Sequence, residues 1–252
     1  MELWDCNCWY GVPKSPPLAP AETVDVLLQE MERAGIHRAL VRNAALWEQS
    51  PEVGNALVTA HCADDERLLP AWAILPPQTG ELGTVDEFVA AMREAGVRAL
   101  WAYPENHRYV LNTTTMGALF QEVTDRGIPL FIERREVGGG ALYALVDGVL
   151  NDFPALHLCV VGHGSWGEDR YFRPLMERYP NFMVGTSRYE LDGGIEEICG
   201  IYGPERLLFG TQFPLTPMGG PILTLLHANI RDEDRELIAG GNLRRILEGV
   251  RL

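Results

Sequence analysis

Nearly every short apolar run in this sequence is followed by a residue able to do chemistry. Asn7 and Trp9 follow Leu3–Asp5, Arg42 closes Ala39–Arg42, and Trp72 lies within Leu68–Leu75. Tyr103 and His107 follow Val97–Ala102, and Glu133 with Arg135 ends Pro129–Glu133. His163 follows Leu158–Gly162, Ser187 and Arg188 follow Phe182–Gly185, and Gln212 follows Arg206–Gly210. One polar residue after an apolar run means little, because a strand must end in something. So many together make a pattern. Glu133 and His163 are suited to proton transfer, since an imidazole titrates at about 6.5. They close consecutive runs, so neighbouring strands would let them touch, and contact would favour the imidazolium. The plainer alternative is an ion pair of Glu133 with Arg135 or Arg134. Arg42, Arg135 and Arg188 carry forked donors that grip a carboxylate in bidentate fashion. Asn7 and Gln212 would orient substrate or water. Trp9 and Trp72 would supply flat apolar walls, or equally a core layer. Tyr103 and His107 would sit on the loop beside them.

The elements that must position these residues are legible as a rhythm. Between the runs lie helix-like segments with start and stop signals. Thr23–Ala34 puts Val24, Leu27, Leu28 and Met31 on one face and stops at Gly35. Ser50-Pro51 opens a second helix. Thr84-Val85-Asp86-Glu87 is a capping box before Phe88–Ala95, which stops at Gly96. Met116–Arg126 stops at Gly127, Leu142–Asp152 before Pro154, Glu168–Tyr179 before Pro180 and Leu191–Tyr202 before Gly203. Pro13–Pro20 and Leu75–Gly83 read as loops, and Arg231–Val250 as terminal helices closing the structure. The strand runs are continuously apolar, as in parallel strands covered on both faces. Eight such runs alternating with helices predict one α/β domain over residues 1–252, a single (β/α)8 TIM barrel. An open doubly wound sheet would show a glycine-rich phosphate loop, and Trp9-Tyr10-Gly11-Val12-Pro13 is not one.

Composition narrows the partners. The chain has 252 residues and a formal net charge of −14, with 46% hydrophobic and 22% charged residues. This is an ordinary globular balance. The acidity argues against nucleic acid and against anionic membrane surfaces. Five cysteines are an odd number, which fits a reducing compartment rather than a disulfide framework. Without a basic segment followed by an apolar one at the N-terminus, and without a long apolar span, the expected location is the cytoplasm. Gly164-Ser165-Trp166-Gly167 is not a nucleophile elbow.

Four phrases resemble the amidohydrolase-related family of TIM-barrel, metal-dependent hydrolases and decarboxylases. They are Asp5-x-Asn7-x-Trp9-x-Gly11, Gly162-His163-Gly164, Gly203–Pro214 and Gly241–Leu247. Tyr103-Pro104 with His107 and Tyr109 is similar as well. The family's first-strand pattern is D-x-H-x-H, with both histidines on metal; here those positions are Asn7 and Trp9. The usual fifth-strand histidine is Glu133, and the eighth-strand aspartate is Gln212. Only Glu133 and His163 keep a competent ligand type among the five usual positions, and they would hold an ion if one binds. A catalytic zinc normally has about three protein ligands. The expectation is therefore no resident cofactor, or a weakly held divalent ion such as zinc, with Glu133 and His163 as a metal-free acid/base pair. Strand alternation would turn Cys6 and Cys8 outward, away from any such site. The resemblance implies hydrolysis or decarboxylation of a small, carboxylated compound, and assembly as a homodimer. The alternative is a catalytically inactive barrel that binds a metabolite or a partner subunit.

Overall fold

The computed structural model describes residues 1–164 and 167–252; Ser165 and Trp166, and with them the serine-containing phrase noted above, lie outside the described residues. The described strands are β1 (Leu3–Tyr10), β2 (Ile36–Asn43), β3 (Leu68–Pro70), β4 (Trp72–Ala73), β5 (Leu100–Ala102), β6 (Leu130–Glu133), β7 (Leu158–Val161), β8 (Phe182–Gly185) and β9 (Leu207–Leu208). All their pairings are parallel, in the orders β1-β2-β3 and β4-β5-β6-β7-β8-β9. Both interruptions are local. At the first, Ala71 N–H donates to Val41 O (3.0 Å) and Trp72 N–H to Ala99 O (3.2 Å), so β3 and β4 form one stave that changes partners after Pro70. At the second, Cys6 N–H donates to Phe209 O (2.8 Å) and Gln212 N–H to Asn7 O (2.8 Å), joining the last stave to the first. This is the expected (β/α)8 barrel.

Strand alternation sorts the buried side chains into two layers. Trp4, Leu40, Ala73, Trp101, Phe131, Val161, Met183 and Leu208 fill the barrel interior. Val41, Leu100, Ile132, Val160 and Val184 meet the helices instead. Helix starts follow the sequence signals. Ser50 Oγ accepts from Val53 N–H (3.2 Å), and the Thr84–Glu87 box forms. The helix expected from Met116 begins at Thr113, because Asn112 caps it. Two helices lacked a signal, Ala45–Glu48 and Gly219–His227. The final helix, Asn242–Glu248, packs Leu243, Ile246 and Leu247 into the interior cluster beside Trp4. No helix of the described residues is long and apolar enough to cross a membrane.

Two irregularities break the alternation where it matters. β1 carries a bulge, since Asp5 opposes Ala39 while Cys8 opposes Val41. The extra residue shifts the facing of the strand. Cys6 therefore packs in the barrel interior with Cys159, while Cys8 alone joins the helix layer. This corrects the expectation that both cysteines face outward. The second is Gly162, with φ +75, immediately after β7. That left-handed turn, open to glycine without a Cβ penalty, redirects His163.

Candidate functional site

A cleft of about 460 Å³ opens at the C-terminal ends of the strands. Its floor is Arg42, from the end of β2, and Glu133, from the end of β6, both essentially buried at 1% and 2% exposure. Trp9, Trp47 and Tyr103 wall it, with Trp9 and Trp47 edge to face at 5.1 Å and Trp47 and Tyr103 at 5.8 Å. Lys14, Glu105, Arg135 and Glu136 stand toward the rim.

Arg42 is the centre of this arrangement. Its guanidinium lies 3.5 Å above the Trp101 ring, which tops the apolar interior. It donates to Tyr103 Oη (3.1 Å) and to Asn7 Oδ1, and stands 3.9 Å from Glu133 Oε2. Glu133 Oε1 accepts from Gln212 Nε2 and forms an ion pair with Arg135, whose Nε is 2.9 Å away. Two guanidiniums share one carboxylate, leaving one net positive charge. Asn7 and Gln212 do not line the cleft. They hold its floor, Asn7 also donating to Ser187 Oγ at 3.0 Å. Asp5 in turn accepts from Asn7 N–H and Thr211 N–H, both at 2.9 Å, and from the Thr211 hydroxyl, tying β1 to the segment that carries Gln212. Gln212 itself sits at φ +61, a left-handed conformation uncommon outside glycine.

Gly162 lets this floor assemble. A Cβ built there would stand 2.9 Å from Gln212 Nε2 and 3.3 Å from Glu133 Cγ, at a φ that strains any L side chain. Gly162→Ala is expected to cost about 1–3 kcal/mol in chemical denaturation. Unchanged stability would mean the floor has room that this geometry denies.

The structure gathers Trp9, Arg42, Tyr103, Glu133 and Arg135 around one cleft, with Asn7 and Gln212 behind them. Four other candidates lie elsewhere. The expected contact between His163 and Glu133 is not made. Turned by Gly162, His163 is buried in the helix layer, with Nε2 3.0 Å from Val160 O, Nδ1 2.9 Å from the Tyr143 hydroxyl, and its ring against Phe172. Burial pushes its pKa down to about 4, opposite to the imidazolium expected of a carboxylate-paired histidine. Trp72 donates to Thr59 Oγ1 (2.8 Å) and packs on Phe88 in the helix layer. Arg188 is exposed and does not line the cleft. His107 does not line the cleft either; with its Nε2 2.8 Å from Leu46 O and its ring 5.4 Å from Tyr103, it braces the short helix that carries Trp47. Arg134, the other arginine offered as a partner for Glu133, pairs with Glu168 at 2.6 Å.

Sequence reasoning missed Trp47 and Glu136. Trp47 rides on the unsignalled helix Ala45–Glu48. Glu136 ends the 3₁₀ turn Arg134–Glu136, in which residues three apart eclipse. It therefore returns to the face of Glu133, a position that strand parity alone cannot place. Burial, and then the Glu133 charge, push the Glu136 carboxyl up to about 7, while Arg135 and Arg42 oppose the rise.

The donors on the floor do not fit a divalent cation. Glu133 is its only carboxylate, already shared by two guanidiniums, and Asn7 and Gln212 are neutral amides engaged with neighbours. Arg42 places a permanent positive charge among them. Among the described residues, no three His, Cys, Asp or Glu side chains are grouped so as to hold a metal ion.

Comparisons with known proteins agree with the fold. An uncharacterised TIM-barrel protein from Bordetella bronchiseptica superposes with a TM-score of 0.76 at 20% identity, over 99% of each chain. A 2,6-dihydroxybenzoate decarboxylase from Rhizobium gives 0.76 at 15% identity, over 98% of this chain and 99% of that one. A dihydroxybenzoic acid decarboxylase from Polaromonas, solved with bound manganese and an inhibitor, gives 0.76 at 14% identity, over 98% and 97%. Among curated proteins none matches the sequence. The profile of one family, described as amidohydrolase, spans residues 8–248. With that match over almost its whole length, and with the barrel that those solved structures share, this chain belongs to the amidohydrolase family.

Proposed function

We propose that the protein is a hydrolase or decarboxylase of the amidohydrolase type that takes a small carboxylated compound and works without a resident divalent ion. The observation that carries this reading is the Arg42–Glu133–Arg135 cluster, two guanidiniums on one carboxylate that run from the floor of an aromatic-walled cleft to its rim and leave one positive charge in excess within the cluster. That charge suits a monoanion, and Trp9, Trp47 and Tyr103 suit a flat ring beside it. Two of the superposing proteins are named as decarboxylases of hydroxylated benzoic acids, which is the same ligand chemistry. In place of the Glu133–His163 pair, the proton-carrying group is Glu136, which stands in the cleft and titrates near neutral pH.

Benzoate is the probe. It is expected to raise the melting temperature, and more so below pH 7 than above. The sign follows from charge. Protonated Glu136 is neutral, so a bound carboxylate faces one fewer negative group; as pH rises through about 7 Glu136 ionises and binding weakens. Glu136→Gln should remove that pH dependence and keep the binding. No benzoate shift at any pH removes the carboxylate reading.

A second reading, binding without turnover, is favoured by one observation. Both Glu133 oxygens and both polar atoms of the Asn7 side chain already have partners. It predicts benzoate binding with no product formed from any carboxylate of a panel, in the wild type and Glu136→Gln alike.

A further inference from the structure

We propose that Arg42 is the resident cation of this site, doing by protein charge what a divalent ion would do and excluding that ion. This rests on the proposed carboxylate function above. It begins from the disagreement between a family fold whose solved relatives include a manganese-bound member and a floor that does not fit a metal.

Three observations carry it. First, the guanidinium is enclosed as a bound ion is enclosed. It is 1% exposed, stacked 3.5 Å over Trp101, hydrogen-bonded by Asn7 and Tyr103, and 3.9 Å from Glu133. Second, it sits against residues from the positions that would otherwise supply ligands. Asn7 meets it directly, and Gln212 reaches it through Glu133. Third, its donors are not exhausted. Arg42 Nε and Trp9 Nε1 are buried N–H groups with no partner, and both residues line the cleft. Buried donors left unpaired in a native site call for an acceptor. An anionic oxygen of the ligand supplies one and answers the net positive charge at the same time. Unlike a metal, this cation is covalently held, does not exchange and cannot be lost to a chelator.

The test separates charge from ligation. Asn7→Asp with Gln212→Asp places three carboxylates, with Glu133, around the guanidinium. With Arg42 present, those carboxylates are expected to pair with it, and calorimetric titration with Mn²⁺ alone should show weak binding at most. Adding Arg42→Met should open the site and tighten Mn²⁺ affinity by about a hundredfold or more, because a fixed like charge at contact distance is removed. Equal Mn²⁺ affinity with and without Arg42, or no binding in either, overturns the proposal. Wild-type protein supplies an arm free of folding risk. Its benzoate-induced melting shift should be the same in EDTA and in Mn²⁺, and Mn²⁺ alone should not bind. Stoichiometric Mn²⁺ binding by the wild type, or a benzoate shift abolished by EDTA, overturns it. A wild type that ignores both benzoate and Mn²⁺ sinks the carboxylate function, while the variant series still decides whether Arg42 excludes the ion.

Discussion

Glu133→Ala is expected to destabilise the protein by ~3–5 kcal/mol, the cost of breaking a buried ion pair by removing one partner. Arg42 cannot escape by deprotonating and is only 1% exposed, so little water reaches it to replace the carboxylate. Without Glu133 it keeps Asn7, Tyr103 and the faces of Trp101 and Trp47, none of them charged. Gln212 Nε2 loses its acceptor as well. Arg135 is a smaller loss, because its side chain is 54% exposed and water can replace the carboxylate. The double variant Arg42→Met/Glu133→Leu should regain most of the stability, since it removes both buried charges together. Urea denaturation of the two single variants and the double variant gives the coupling directly. Additive losses would mean that the 3.9 Å pair contributes nothing as a pair.

The second large effect is a pH dependence that belongs to His163 and not to the cleft. Buried between Val160 O, Tyr143 and Phe172, its imidazole is pushed down to about 4. Carboxylate and guanidinium groups lie around it. Arg134 and Glu168 pair with each other, and the Tyr143 hydroxyl stands 2.9 Å from both Glu168 Oε2 and His163 Nδ1, so its one proton serves one of them at a time. In the unfolded chain a histidine titrates at about 6.5. Between those values the unfolded state holds a proton that the folded state lacks. Stability therefore rises with pH across the window and is lost as pH falls from about 6.5 to about 4, by about 3 kcal/mol in all. Denaturation curves at intervals from pH 7 to pH 4.5 should show this limb, and His163→Phe should flatten it whatever it does to the plateau. An acid limb equally steep in the variant assigns the loss to other groups.

Much of this was legible in the chain itself. The alternation of apolar runs with capped, glycine-stopped segments determined an eightfold α/β barrel, because both signals depend only on neighbouring residues. Thr84 needs Glu87, and Gly35 needs the helix before it. The same rhythm marked the strand ends, so Trp9, Arg42, Tyr103, Glu133 and Arg135 could be named as cleft residues.

What the sequence could not decide were the places where regularity stops. One extra residue in β1 turned Cys6 into the interior, and one left-handed glycine turned His163 away from the cleft. A 3₁₀ turn brought Glu136 back over Glu133. The partners were hidden for a related reason. That Arg42 is a buried cation fixed beside Glu133, rather than an arginine at the rim of the cleft, depends on side chains 91 residues apart meeting at 3.9 Å. Periodicity carries local geometry along a strand. Which charges face each other across a barrel is settled only when the staves close around a common floor.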